Sequence, residues 1–176
     1  MKVFYHDNTG LEYFPSVEEA KSYNEYDPDA KLYSILDQIE DYRKDGVFHI
    51  RLCYPEFTEY EFPCNEWKQS SNMATESNIT GFEEIYLTFK KAGNSGSFGG
   101  LGISPKSFSN TLIDDLPFHS RFWFAVGAVY EYAGAMPGPA YHVVKKVEVY
   151  LAIRMSYMFE SKISSIICRF ILPKIF

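Results

Sequence analysis

The chain has no Lys/Arg-rich run. Its 17 Lys and Arg are outnumbered by 23 Asp and Glu, giving a net charge of −6 over 176 residues. Binding to a phosphate backbone needs concentrated positive charge, so no nucleic-acid partner is expected. Metal motifs are missing as well. There is no C-x-x-C and no H-x-x-x-H, and the four histidines are scattered, which argues against zinc. No D-x-D-x-D-G calcium loop occurs. Neither G-x-S-x-G nor a Cys-His pair at suitable spacing supplies an activated nucleophile. The glycines of Gly96–Gly102 form neither a dinucleotide fingerprint nor a Walker loop, and read as a strand connection. A leader is not visible: Met1-Lys2-Val3-Phe4-Tyr5-His6-Asp7 turns polar too early for a signal-peptide core. The Ile-rich stretch after Ala152 carries Arg154, Glu160, Lys162, Arg169 and Lys174, so no transmembrane segment is expected there.

Cysteine is scarce, and two of the three are close together. Cys53 and Cys64 bracket ten residues, Tyr54 to Pro63. An apolar, strand-like run leads into Cys53, and Trp67 follows Cys64 by three. This reads as a strand, a disulfide-closed loop and a second strand, in an oxidising compartment. The ordinary alternative is two buried thiols, since short spacing does not prove a bridge. Cys168 is the odd thiol. Hydrophobic residues at 46% suffice for one packed core, and aromatics at 18%, mostly Tyr and Phe, favour strands and contact surfaces.

Residues 1–15 read as a short strand and a turn at Asn8-Thr9-Gly10. Ser16-Val17-Glu18-Glu19 is a capping box, predicting a short helix to about Asn24. Leu32, Ile35, Leu36 and Ile39 recur at helical spacing and predict a second helix, with Gly46 as its C-terminal cap. Its polar face carries Asp37, Glu40, Asp41 and Asp45. These acids suggest cation binding, but a solvated face is the preferred reading. From Val47 the period becomes two: Phe48, Ile50, Leu52 and Tyr54 share one face, and His49, Arg51 and Cys53 the other. Further strands are expected at Glu66–Ser70, Phe82–Phe89, Phe122–Tyr130 and Val143–Leu151. The fold class expected is mainly β: an antiparallel β-sandwich with two short N-terminal helices, over residues 1–152. Residues 153–176 form an atypical tail.

Asn78-Ile79-Thr80 is an N-glycosylation sequon in a polar loop. Asp114 and Asp115, with His119 four residues on, suggest an acid pair and base for hydrolysis, or a Ca²⁺ site. The preferred reading there is a surface turn closed by Pro117. Trp67 and Trp123 read as core or sheet-face residues, with stacking on a sugar ring as the alternative. The loops Asn94–Gly99, Thr111–Ser120 and Gly134–Pro139 are the ligand-contact candidates, because loops on a rigid scaffold carry function.

Several blocks go together: 32–40, 48–56, 64–72, Thr80-Gly81-Phe82-Glu83, 111–115, and Pro137-Gly138-Pro139 before Val144–Tyr150. In combination they resemble an uncharacterised module of extracellular proteins in marine invertebrates, cnidarians especially, over about residues 3–152. The resemblance implies a secreted or surface-exposed binding or matrix domain and brings no catalytic residues with it. The closing Val-Glu-Val-Tyr strand also resembles discoidin-type sandwich domains, which would imply recognition by loops at one end.

The expectation is therefore a non-catalytic adhesion or recognition module, secreted or at the cell surface. Its partner is a glycan or an extracellular protein, with no cofactor other than Ca²⁺. Asp114, Asp115, His119 and Asn94 are its ligand-binding candidates. The missing leader fits a piece of a longer chain or a truncated gene model. The rivals are a sandwich-fold hydrolase using Asp114, Asp115 and His119, and a structural matrix component.

Overall fold

The computed structural model describes residues 1–10, 12–92, 96–103, 111–113 and 144–152, together with Pro139 and His142. Seven strands form one antiparallel sheet: β1 (Lys2–Asp7), β2 (Ser22–Tyr23), β3 (Leu32–Ile35), β4 (Phe48–Cys53), β5 (Cys64–Gln69), β6 (Glu83–Leu87) and β11 (Lys146–Leu151). Their spatial order is β2-β3-β1-β11-β4-β5-β6. Two short ladders accompany the sheet. One pairs β7 (Lys91–Ala92) with β8 (Gly96–Ser97) antiparallel, and the other pairs β9 (Gly102–Ile103) with β10 (Thr111–Ile113) parallel. Among the described residues the protein is thus mainly β, built on one large sheet.

Period-two sequence gives the sheet two unlike faces. On the inner face Phe4, Phe48, Ile50, Leu52, Trp67, Val147, Val149 and Leu151 are buried. Phe14, Ala20, Leu36, Ile39, Met73, Phe98, Leu101, Leu112 and Val144 join them in one core. Gln69 brings a buried amide into this core and is bonded at both its oxygen and its nitrogen. Gln69 accepts from the Trp67 indole N–H at 2.8 Å and from the Leu101 amide at 3.0 Å, and donates to the Ser71 and Leu101 carbonyls at 2.8 Å each. A buried amide left unpaired would cost about 1–3 kcal/mol, so this set anchors the 98–101 segment to β5.

The outer face is an ion-pair ladder. Lys2 meets Glu148 at 3.3 Å, Lys146 meets Asp7 at 3.1 Å, Glu66 takes Arg51 at 2.9 Å and His49 at 2.8 Å, and Lys68 meets Glu83 at 3.0 Å. Tyr150 donates to Glu148 at 2.9 Å. Burial, then that bond to Glu148, push the Tyr150 phenol up to about 12.

Of the two expected N-terminal helices, the first does not form and the second is reduced to a short 3-10 segment. The capping residues do meet: the Glu19 amide donates to Ser16 Oγ at 3.1 Å and the Ser16 hydroxyl to Glu19 Oε2 at 2.9 Å. They close a single turn, because Ser22 and Tyr23 then pair with Ile35 and Ser34. One turn without further stacking is too short to persist as a helix. Leu32–Ile35 pairs with β1 instead of coiling, and Tyr33, Ser34 and Ile35 are all buried, which no helical stripe allows. What remains is a 3-10 helix, Leu36–Tyr42, burying Leu36 and Ile39, whose i, i+3 spacing suits that geometry. Gly46 is not its cap. Asp45 (φ 51°) and Gly46 (φ 81°) form a two-residue turn between Lys44 and Val47, whose amides and carbonyls exchange hydrogen bonds at 2.9 Å. That is the Asp-Gly hairpin turn, where both central residues take positive φ.

Candidate recognition surface

Cys53 and Cys64 are disulfide-bonded and stand opposite one another in the β4–β5 register, with Cα atoms 4.1 Å apart. The bridge closes the loop 54–63, and the loop's own residues then fill it. Buried Tyr54 and Phe57 lie with ring centroids 5.2 and 5.6 Å from Phe89, and Tyr60 lies 5.1 Å from the same ring. His142 packs edge-on to Phe57 at 5.4 Å. Burial raises the Tyr54 phenol well above its ordinary value. Backbone bonds complete the frame: Tyr54 N–H to the Pro63 carbonyl at 2.9 Å, and the Thr88 hydroxyl to the Phe62 carbonyl at 2.6 Å. Glu56 reaches across to accept from the Lys145 and Lys146 amides at the start of β11.

The loop's far end meets strand β6, which is the sheet's edge. Tyr60 is 37% exposed, Ile85 43% and Tyr86 51%. Phe62 packs edge-on to Tyr86 at 5.3 Å, and Arg51 lies over the Phe62 ring at 5.3 Å. Ile85 is an extra residue in β6, since Tyr86 pairs with Glu66 and Glu84 with Trp67. Such a bulge turns a side chain outward and twists an edge away from self-pairing. Glu59, Glu61 and Glu84 on the same two segments are exposed as well. The edge thus carries half-exposed aromatic and aliphatic groups, with Phe62 of the bridged loop packed on Tyr86. Its chemistry is that of contact: apolar burial, aromatic stacking and hydrogen bonding.

The sequence candidates distribute unevenly. Asn78 is exposed in the loop before β6. Its sequon partner Thr80 shares a hydroxyl–hydroxyl bond with Ser70 at 3.0 Å. Gly81 follows at φ +67°, where an added Cβ would sit 2.4 Å from Ser70 Oγ. Trp67 is fully buried, so it is core and unavailable to a sugar ring. Asp37, Glu40, Asp41 and Asp45 are exposed, as a solvated face requires. Hydrogen bonds from Arg43 first, then Asn72, hold the Glu40 carboxyl below its ordinary value. Among the described residues no group of three or more His, Cys, Asp or Glu is arranged to hold a metal ion. Nor is any helix among them long and apolar enough to cross a membrane. Asn94, Asp114, Asp115, His119, Trp123, Cys168, the expected strand Phe122–Tyr130 and the tail 153–176 lie outside the described residues. Of the three candidate loops only 96–99, 111–113 and Pro139 lie inside them, and Thr111–Ile113 is buried.

Tyr60, Ile85 and Tyr86 were not among the sequence candidates. Their signal is faint: Glu83-Glu84-Ile85-Tyr86 breaks the alternation that a half-buried strand keeps. No family model, curated protein or solved structure matches this chain.

Proposed function

We propose that this chain is a non-catalytic recognition module of the extracellular kind that its sequence blocks resemble, secreted or at the cell surface. One observation carries the reading: the Cys53–Cys64 bridge pins an aromatic-filled loop to the sheet, and Phe62 of that loop packs on half-exposed Tyr86 at the sheet's edge. An oxidised bridge fits an oxidising compartment, and the exposed sequon Asn78 fits the same one. The partner is an extracellular protein or a glycan, for which exposed tyrosines and carboxylates offer stacking faces and hydrogen-bond acceptors. In this reading the covered face of the large sheet is one layer of a β-sandwich. Asn94, Asp114, Asp115 and His119 contribute from the loops at its end, with Ca²⁺ as the ion those carboxylates would take.

The test is binding of the purified protein to extracellular-matrix proteins and to a glycan array, with and without Ca²⁺. The variant Tyr86→Ala should lose most of the binding while keeping its unfolding free energy within about 1 kcal/mol of the parent, since Tyr86 is half exposed on an edge strand. Binding unchanged in that variant would remove the surface from the reading. Turnover of glycosides or esters that Asp115→Asn abolishes would replace it with the sandwich hydrolase. Self-association that survives dilution, with no other ligand, would favour a matrix component.

A further inference from the structure

Tyr26 is 99% exposed, a rare state for a large aromatic side chain. It makes no hydrogen bond or ring contact with any described residue. It stands in the loop between β2 and β3, at the sheet edge opposite β6. The loop beneath it is firmly built. Asn24 takes φ 49°, and its side chain donates to the Leu32 carbonyl at 2.8 Å. The Asp27 amide donates to the Asn24 carbonyl at 2.8 Å, and the Ala30 amide to the Asp27 carbonyl at 3.1 Å. Glu25 accepts from Ser22 and, at 2.9 Å, from Gln38. Lys2 donates to the Pro28 carbonyl at 3.2 Å and lies 3.7 Å from Asp29. Nothing in this frame needs the Tyr26 ring, which is held out in solvent between Glu25 and Asp27, with Asp29 two residues further on.

We propose that Tyr26 is a tyrosine O-sulfation site, modified in the lumen of the secretory route. An enzyme that modifies a surface tyrosine must take the phenol into its own cleft, which a fully projecting ring allows and a packed one does not. A transferase that handles anionic sulfate donors has a basic cleft, and Glu25, Asp27 and Asp29 complement it in charge. In the step, the Tyr26 phenolic oxygen attacks the sulfur of a nucleotide-activated sulfate, a mixed phosphate–sulfate anhydride. The new O–S bond forms as the anhydride O–S bond breaks. The nucleotide leaves with the bonding pair, and the phenol proton passes to the transferase's base; nothing is oxidised or reduced. The product places a permanent anion among carboxylates and turns the loop into a docking point for an Arg-bearing partner.

Tyr60 provides the internal contrast. It lies between Glu59 and Glu61, so its local acidity is similar, but its ring leans on Phe57 at 6.4 Å and Phe89 at 5.1 Å inside the bridged loop. Accessibility therefore selects Tyr26 and spares Tyr60.

The inference rests on the extracellular reading above, and non-reducing peptide mapping of the protein purified from its source tests both separately. The expected result is a linked Cys53–Cys64 peptide together with one sulfuryl group on the Tyr26 peptide, resistant to phosphatase, released by mild acid and absent from the Tyr60 peptide. In protein secreted from animal cells, Tyr26→Phe should remove the group, and Asp27→Asn with Asp29→Asn should lower its occupancy several-fold. A bare Tyr26 in protein whose bridge is formed overturns the sulfation and leaves the extracellular reading standing. A group on Tyr26 that phosphatase removes overturns it in favour of phosphorylation. Free Cys53 and Cys64 thiols overturn both.

Discussion

Asn65 lies near the start of β5, buried between β4 and β6, and its side-chain amide takes the place of a further strand partner. It donates to the Phe89 carbonyl at 2.8 Å and accepts from the Phe89 amide at 2.9 Å, just beyond the end of β6. Asn65→Leu would keep the volume and strand both backbone groups. At about 1–3 kcal/mol for each of these two groups, the expected loss is about 2–6 kcal/mol in urea unfolding. Tyr150 makes a prediction in pH. Its folded-state phenol is pushed up to about 12 from an ordinary value of 10.0. The folded form therefore holds its proton where the unfolded form has released it. The stability from Tyr150 is fully present below about pH 10 and is lost as pH rises towards about 12. Tyr150→Phe should flatten the alkaline limb of the stability curve; an unchanged limb would place the effect on Tyr5, Tyr33 and Tyr54, whose phenols are also raised. The alternation that buries Phe48, Ile50, Leu52 and Tyr54 was legible in the sequence. The role of Asn65 was not, because its partner is 24 residues away and no local pattern marks it.

At the scale of elements, the segments whose partners are near in sequence were the readable ones. The strand–loop–strand around Cys53 and Cys64 was legible because bridge and hairpin are one local unit. The capping box was also read correctly as a bonding pattern, yet it closes one turn. Pairing of Ser22 and Tyr23 with β3 supplies hydrogen bonds that a short helix cannot match. Leu32–Ile39 misled because a strand and a 3-10 helix laid end to end imitate a helical stripe. The Asp45-Gly46 pair was read as a helix end although it is equally a hairpin signal. The bridge itself gives a clear expectation. Replacing Cys53 and Cys64 with Ser removes a cross-link closing a short loop, and should lower stability by about 2–3 kcal/mol. Limited proteolysis should then cut within 54–63 in the variant and spare that loop in the parent. Equal resistance of both would show that packing of Tyr54, Phe57 and Tyr60 on Phe89 holds the loop by itself.

At the scale of the whole molecule, the sheet is two sequence blocks joined by a late strand. β1, β2 and β3 form one side and β4, β5 and β6 the other, and among the described residues β11 alone pairs with both. The chain start is tied to that strand, with the Met1 ammonium donating to the Leu151 carbonyl and the Leu151 amide to the Met1 carbonyl, both at 2.8 Å. No local sequence signal announces such an order, since it depends on pairing across about the whole described length, and contacts of that range also slow folding. The expectation of a closing strand at Val143–Leu151 was sound, but its central position was not visible. Val147, Val149 and Leu151 are buried, and at about 1.5–3 kcal/mol each they contribute about 5–9 kcal/mol, comparable to the whole stability of a domain. A chain ending at residue 143 should therefore lose its cooperative unfolding transition. One ending at Ala152, the boundary proposed for the module, should keep the transition of the full chain. Circular dichroism through a urea series on both truncations and the full chain decides the matter. If the chain ending at Ala152 also unfolds without a transition, residues 153–176 belong to the core, and the boundary of the module moves to include them.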